Sequence, residues 1–177
     1  MNKHSHITST VFRLAVLALA MAGTGSAIAA TTTASATSTI IAPIVITKAA
    51  DLAFGSFAAG ATAGTVTLTP GNTRSLSGVT AVTGSTSTVA KFDVAGTAGL
   101  GYSISVTGTD LSDGGTNTMA FTPVSDLIGG SITSGNATVG TLTGGTQSIF
   151  VGGVLSVGAS QAPGNYTGTI TALVNYN

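Results

Sequence analysis

From about residue 40 onward, apolar and polar positions alternate with a period of two, the mark of strands buried on one face only. The last segment shows it best. Tyr166, Gly168, Ile170, Ala172, Val174 and Tyr176 fall on one side, and Thr167, Thr169, Thr171, Leu173 and Asn175 on the other. Residues 101–107 and 65–69 alternate as cleanly, and residues 89–94 set Ala90, Phe92 and Val94 against Lys91 and Asp93. Residues 40–47 form an apolar run broken by Pro43, which places that strand at an edge, a bulge or a switch between sheets because Pro cannot donate to a ladder. Further strands are expected over residues 52–57, 77–82 and 118–124, the last with Met119 and Phe121 inward, and two more within 131–142. Residues 148–151 and 154–157 read as two strands separated by a turn at Gly152 and Gly153. Ala162-Pro163-Gly164-Asn165 is a strong turn signal, since Pro presets φ and Gly accepts a positive one. Many short strands at this spacing, joined by Gly-rich turns, predict an all-β protein: a β-sandwich or barrel in one domain.

The first 29 residues break this pattern. Lys3 and Arg13 precede an apolar stretch from Leu14 to Ala22; Gly23 and Gly25 follow, and then Ala27-Ile28-Ala29 as a small-x-small site. This is the layout of a secretory signal peptide. Its apolar run is shorter than the roughly 20 residues that span a bilayer. The reading is a signal peptide over 1–29, an N-terminal extension over 30–41 and the β-domain over 42–177, exported through the periplasm to the cell surface or beyond. It is not expected to be an integral membrane protein.

Composition narrows the function. Both histidines, His4 and His6, lie in the leader, and the chain has no Cys, Trp or Glu. A Ser or Thr nucleophile needs a base, and a glycosidase needs two facing carboxylates. Neither requirement is met by five scattered Asp, and nothing in the spacing sets up Lys48 or Lys91 as a base. The expectation is no enzyme and no cofactor. After the leader, Lys48, Arg74 and Lys91 face five Asp, a net charge of −2, so nucleic acid is not an expected partner. Without Cys, stability must come from backbone ladders and packing. Glu, Lys and Leu, the usual material of helices, are scarce, while Val, Ile and Thr abound.

Few groups remain as sites. Asp110 and Asp113 form the only carboxylate cluster and are weak candidates for calcium, but two carboxylates are too few, and an Asp-Gly turn is the preferred reading. Tyr102, Tyr166 and Tyr176 offer a sugar-stacking platform in principle; on alternating strands they read better as packing. The Gly pairs at 144–145 and 152–153 lack the following helix of a phosphate loop and read as turns.

Three blocks together resemble a known group. Ala50-Asp51-Leu52-Ala53-Phe54-Gly55-Ser56-Phe57 is similar to the opening block of spore-coat-U-like pilin domains. Gly101-Tyr102-Ser103-Ile104-Ser105-Val106 is similar to their middle strand, and Pro163-Gly164-Asn165-Tyr166-Thr167-Gly168-Thr169-Ile170 onward to their closing strand. The chain also resembles a family of uncharacterised secreted proteobacterial β-domains. The resemblance implies an immunoglobulin-like sandwich left incomplete, as in archaic chaperone–usher pili, with a groove filled by a neighbour's N-terminal extension. Ile40 and Ile41 would then belong to the donor, and Tyr166, Ile170, Val174 and Tyr176 to the terminal strand that receives it. The implied partners are further subunits, a periplasmic chaperone and an outer-membrane usher. A stand-alone secreted binding module, for carbohydrate, is the alternative.

Overall fold

The computed structural model describes residues 28–126 and 139–177. The chain divides into two units, Met1–Thr39 and Ile40–Asn177. In the first, the described residues 28–39 carry no regular secondary structure and are exposed. Residues 1–27, which hold most of the expected leader, and 127–138, which hold one of the expected strands, lie outside the described residues.

The second unit is all-β: among the described residues every regular element is a strand. These are β1 (Val45–Ala50), β2 (Phe57–Ala59), β3 (Gly64–Leu68), β4 (Arg74–Ser77), β5 (Val79–Ala81), β6 (Ala90–Ala95), β7 (Gly101–Gly108), β8 (Leu111–Ser112), β9 (Thr118–Met119), β10 (Phe121–Ser125), β11 (Val139–Thr141), β12 (Thr146–Val157) and β13 (Ile170–Tyr176). The larger sheet runs β1-β6-β12-β3-β4, with β10 on the other side of β12; the smaller runs β11-β7-β13. All pairings are antiparallel.

The two sheets face each other across a core whose inward side chains are those that the alternation predicts. Ala90, Phe92 and Val94 from β6, Ile149 and Val151 from β12, Tyr102, Ile104 and Val106 from β7, and Val174 from β13 pack together with Leu142. A second cluster, of Phe54, Val66, Leu68, Met119, Phe121, Leu155 and Val157, fills the other end. Ile170 and Leu52 touch both clusters and join them.

Strand β12 corrects the expected pair of strands. It runs unbroken through Gly152 and Gly153, which are not a turn. Its first half pairs with β6 through Val151↔Ala90, and its second half pairs with β3 from Gly153↔Leu68. Thr67 and Thr122 flank Val154 from opposite sides, so β3 and β6 share one side of β12 and β10 takes the other. The glycines sit where one edge changes partner. A Cβ at Gly152 would overlap the Leu68 carbonyl, and one at Gly153 would lie 2.5 Å from the Phe121 ring and 2.6 Å from the Thr122 carbonyl. They are there for close approach rather than for turning.

Three other boundaries differ from expectation. The strand expected over 77–82 is split into β4 and β5 at Gly78, whose φ of 68° L-residues avoid. The segment from Asp110, read as an Asp-Gly turn, carries the short β8, paired with β9. The closing strand starts at Ile170; Tyr166 to Thr169 precede it, touching β8 through a bridge between Thr167 and Ser112.

Candidate functional site: an open seam between two edge strands

The sandwich is not closed along one side. Strand β13 pairs with β7, and β1 with β6; among the described residues no strand pairs with the far edge of either. Where the Ala50 end of β1 and the Ile170 end of β13 meet lies a cleft of about 420 Å³. Its floor is apolar, made of Leu52, Phe54, Phe92, Phe121 and Ile170, and Lys48, Asp51, Tyr166, Thr167 and Thr169 stand around it. Phe54 and Phe121 meet edge to face with centroids 5.7 Å apart, so much of the floor is already filled by the domain's own rings.

Backbone polarity decides what this edge offers. Thr109 N–H donates to Thr169 C=O, and Asn177 N–H to Gly101 C=O, so the odd-numbered residues of β13 make the bonds to β7. By the alternation of an antiparallel ladder, the N–H and C=O groups of Ile170, Ala172, Val174 and Tyr176 point to the open side. The same residues send their side chains into the core. The edge is therefore a strand template whose Ile170 end borders the cleft.

The two tyrosines of the closing segment do different work. The Tyr166 hydroxyl donates to Ala162 C=O at 2.9 Å and accepts from the Gln161 amide at 2.9 Å. This is the geometry of a tyrosine corner, which locks the entry to a Greek-key strand. The Tyr176 hydroxyl lies at the far end of β13. It accepts from Thr97 N–H at 2.6 Å and donates to Ala42 C=O at 2.9 Å, while Ala42 N–H donates to Thr97 Oγ1 at 2.8 Å. Gly96 makes room for it, since a Cβ there would collide with the hydroxyl. Tyr102 is fully buried, donates to Gln147 Oε1 at 3.2 Å and has its ionisation pushed up by burial, which fits packing rather than a sugar platform.

Among the other residues expected at a site, Ile40 and Ile41 are exposed, Ile40 at 96 %. Ile170 lines the cleft, and Val174 and Tyr176 belong to the same strand further along. Asp110 and Asp113 serve their loop. Asp113 accepts from Asn117 Nδ2 at 2.6 Å and Gly115 N–H at 2.8 Å, bonds that hold its carboxyl below the ordinary range, and Asp110 accepts from Phe121 N–H. Among the described residues no three His, Cys, Asp or Glu side chains come together as a metal site would require. Lys48 pairs with Asp51 at 2.7 Å and Lys91 with Asp93 at 3.0 Å. Asp93 also accepts from the Ser148 hydroxyl, and that bond, then Lys91, lowers its pKa. The sequence gives no sign of Lys48, Asp51, Leu52 and Phe92 as cleft residues, or of Thr97 as the partner of Tyr176. Cross-sheet proximity leaves no mark on local spacing.

An all-β sandwich in which, among the described residues, the edge strands β1 and β13 stand unpaired is the class this geometry defines. The chain belongs to the DUF4402 family, a domain of unknown function, whose pattern matches residues 44–176. No curated protein matches the chain.

Proposed function

We propose that this protein is a non-enzymatic, pilin-like structural subunit of an extracellular fibre or surface layer, assembled by β-strand addition. Residues 30–41 of one copy enter the cleft between β1 and β13 of the next. The observation that carries this reading is the outward-pointing backbone of Ile170, Ala172, Val174 and Tyr176, on an edge whose Ile170 end borders the cleft. Such an edge invites another strand unless something covers it.

The extension suits the role. Its even positions, Ala30, Thr32, Ala34, Ala36, Ser38 and Ile40, form one face, and Thr31, Thr33, Ser35, Thr37, Thr39 and Ile41 the other. The even face is small, which fits a cleft whose floor already holds Phe54, Phe92 and Phe121. Twelve extended residues reach roughly 40 Å, more than enough to run along the seven residues of β13. The chain enters the domain at Ala42, beside Tyr176, while the cleft lies at the other end of β13, beside Ile170. Donor and acceptor at opposite ends make a heterologous contact, and such contacts build filaments wherever the rotation between copies does not close a ring.

On this reading the chain is exported, and its open edge needs protection in transit; a periplasmic chaperone and an outer-membrane usher fill that need. The test is light scattering and electron microscopy of the chain beginning at Ala30. Concentration-dependent fibres that vanish when residues 30–41 are deleted support the proposal; a monomer at all concentrations defeats it.

The cleft volume and its rim of Tyr166, Thr167 and Thr169 favour one second reading, a secreted carbohydrate-binding module. Binding on a glycan array that is lost with Thr169→Ala supports it, and an array without signal removes it.

A further inference from the structure

We propose that the latch of Ala42, Thr97 and Tyr176 is a positioning device that sends the N-terminal segment into a second copy and keeps it out of its own cleft. The inference rests on the strand-addition reading above and adds the residues that enforce exchange between copies.

Self-closure would require the chain to reverse. Strand β1 begins at Val45, close to the Tyr176 end of β13, and runs toward Lys48 and Leu52 beside the cleft. For residues 30–41 to occupy the cleft of their own domain, the chain must double back just before β1, around Ala42 and Pro43. Two features oppose that reversal. Pro43 biases Ala42 to extended backbone, which disfavours any turn that places Ala42 at a central, helical position. The tight hairpin turns need positive φ at one or both central residues; Pro cannot supply it, and Ala does so at a cost.

The latch is the second feature. Both backbone groups of Ala42 are engaged: its N–H by Thr97 Oγ1 and its C=O by the Tyr176 hydroxyl. The Tyr176 hydroxyl is itself fixed by Thr97 N–H. A reversal at Ala42 must release these bonds. The Gly96 site admits no side chain without displacing Tyr176. So the device is built into the domain and does not depend on the extension.

The experiment compares the chain with Tyr176→Phe, Thr97→Ala and Pro43→Gly by size-exclusion chromatography with light scattering. Energy transfer between two labelled pools reports exchange between copies. Circular dichroism checks folding, and Thr97→Ala and Pro43→Gly keep the test valid should Tyr176→Phe fail to fold. Each folded variant is expected to raise the share of non-exchanging monomer about five-fold at fixed concentration, the effect of one lost neutral hydrogen bond or one relieved backbone restriction. These monomers refuse an added peptide of residues 30–41, because their clefts are occupied. Folded variants that assemble and exchange as the parent does overturn the latch while leaving strand addition intact. A parent chain that stays monomeric and leaves its cleft open to nothing, the peptide included, overturns both.

Discussion

Replacing Gly152 by Ala tests whether β12 is one continuous strand whose edge changes partner. The new methyl group overlaps the Leu68 carbonyl and crowds the backbone of Thr69, neither of which can swing aside as a side chain does. Accommodating a group in a packed site costs roughly 1–3 kcal/mol. Moving β3 away also weakens ladder bonds around Gly153↔Leu68, at about 1 kcal/mol each. The expected loss is about 3 kcal/mol, or a fall in Tm of roughly 10 °C for a domain of this size. Thermal unfolding followed by circular dichroism is the assay. Gly144→Ala is the control: nothing lies within 4 Å of its Cβ, and its φ is not positive. A Gly152→Ala protein as stable as the control would refute the close-approach argument and restore the turn.

Tyr166→Phe removes the corner bonds to Ala162 and Gln161 and should cost about 1 kcal/mol in urea unfolding; no change would mean the corner is ornamental. Leu155→Ala, at a fully buried position of the second cluster, should cost about 2–5 kcal/mol by the same assay. Asp93 and Asp113 have pKa values depressed below the ordinary carboxylate value. Their stabilisation is therefore present above roughly pH 4 and lost as pH falls through the folded values, so Asp113→Asn should flatten the acid limb of a stability–pH curve. Asp126 behaves oppositely. Burial raises its pKa, and a backbone bond from Phe150 offsets this only in part. Its contribution is present at low pH and lost as pH rises through the folded value, so Asp126→Asn should raise Tm at neutral pH and leave it nearly unchanged near pH 3.

The alternation of small, β-branched and aromatic residues made the inward faces of β6, β7 and β13 readable, because a half-buried strand imposes its period directly on composition. Gly152 and Gly153 misled, since a glycine demanded by a neighbouring strand looks the same as one demanded by a turn. Pro43 was informative: it pointed to an edge, a bulge or a sheet switch, and the strand that follows it, β1, is an edge strand with a register shift at Lys48 to Ala50. The bonds among Ala42, Thr97 and Tyr176 depend on residues 55 and 134 positions apart, contacts that only the folded chain brings together.

Hydrogen exchange at the outward amides of β13 addresses the central claim most directly. In the chain lacking residues 30–41, the amides of Ala172 and Val174 should exchange fast, while those of Leu173 and Asn175, bonded to β7, stay protected. In assemblies of the longer chain, Ala172 and Val174 should become as slow as their neighbours. If both amides are already protected in the shortened chain, or remain fast in the assemblies, the open seam is not where copies of this protein join.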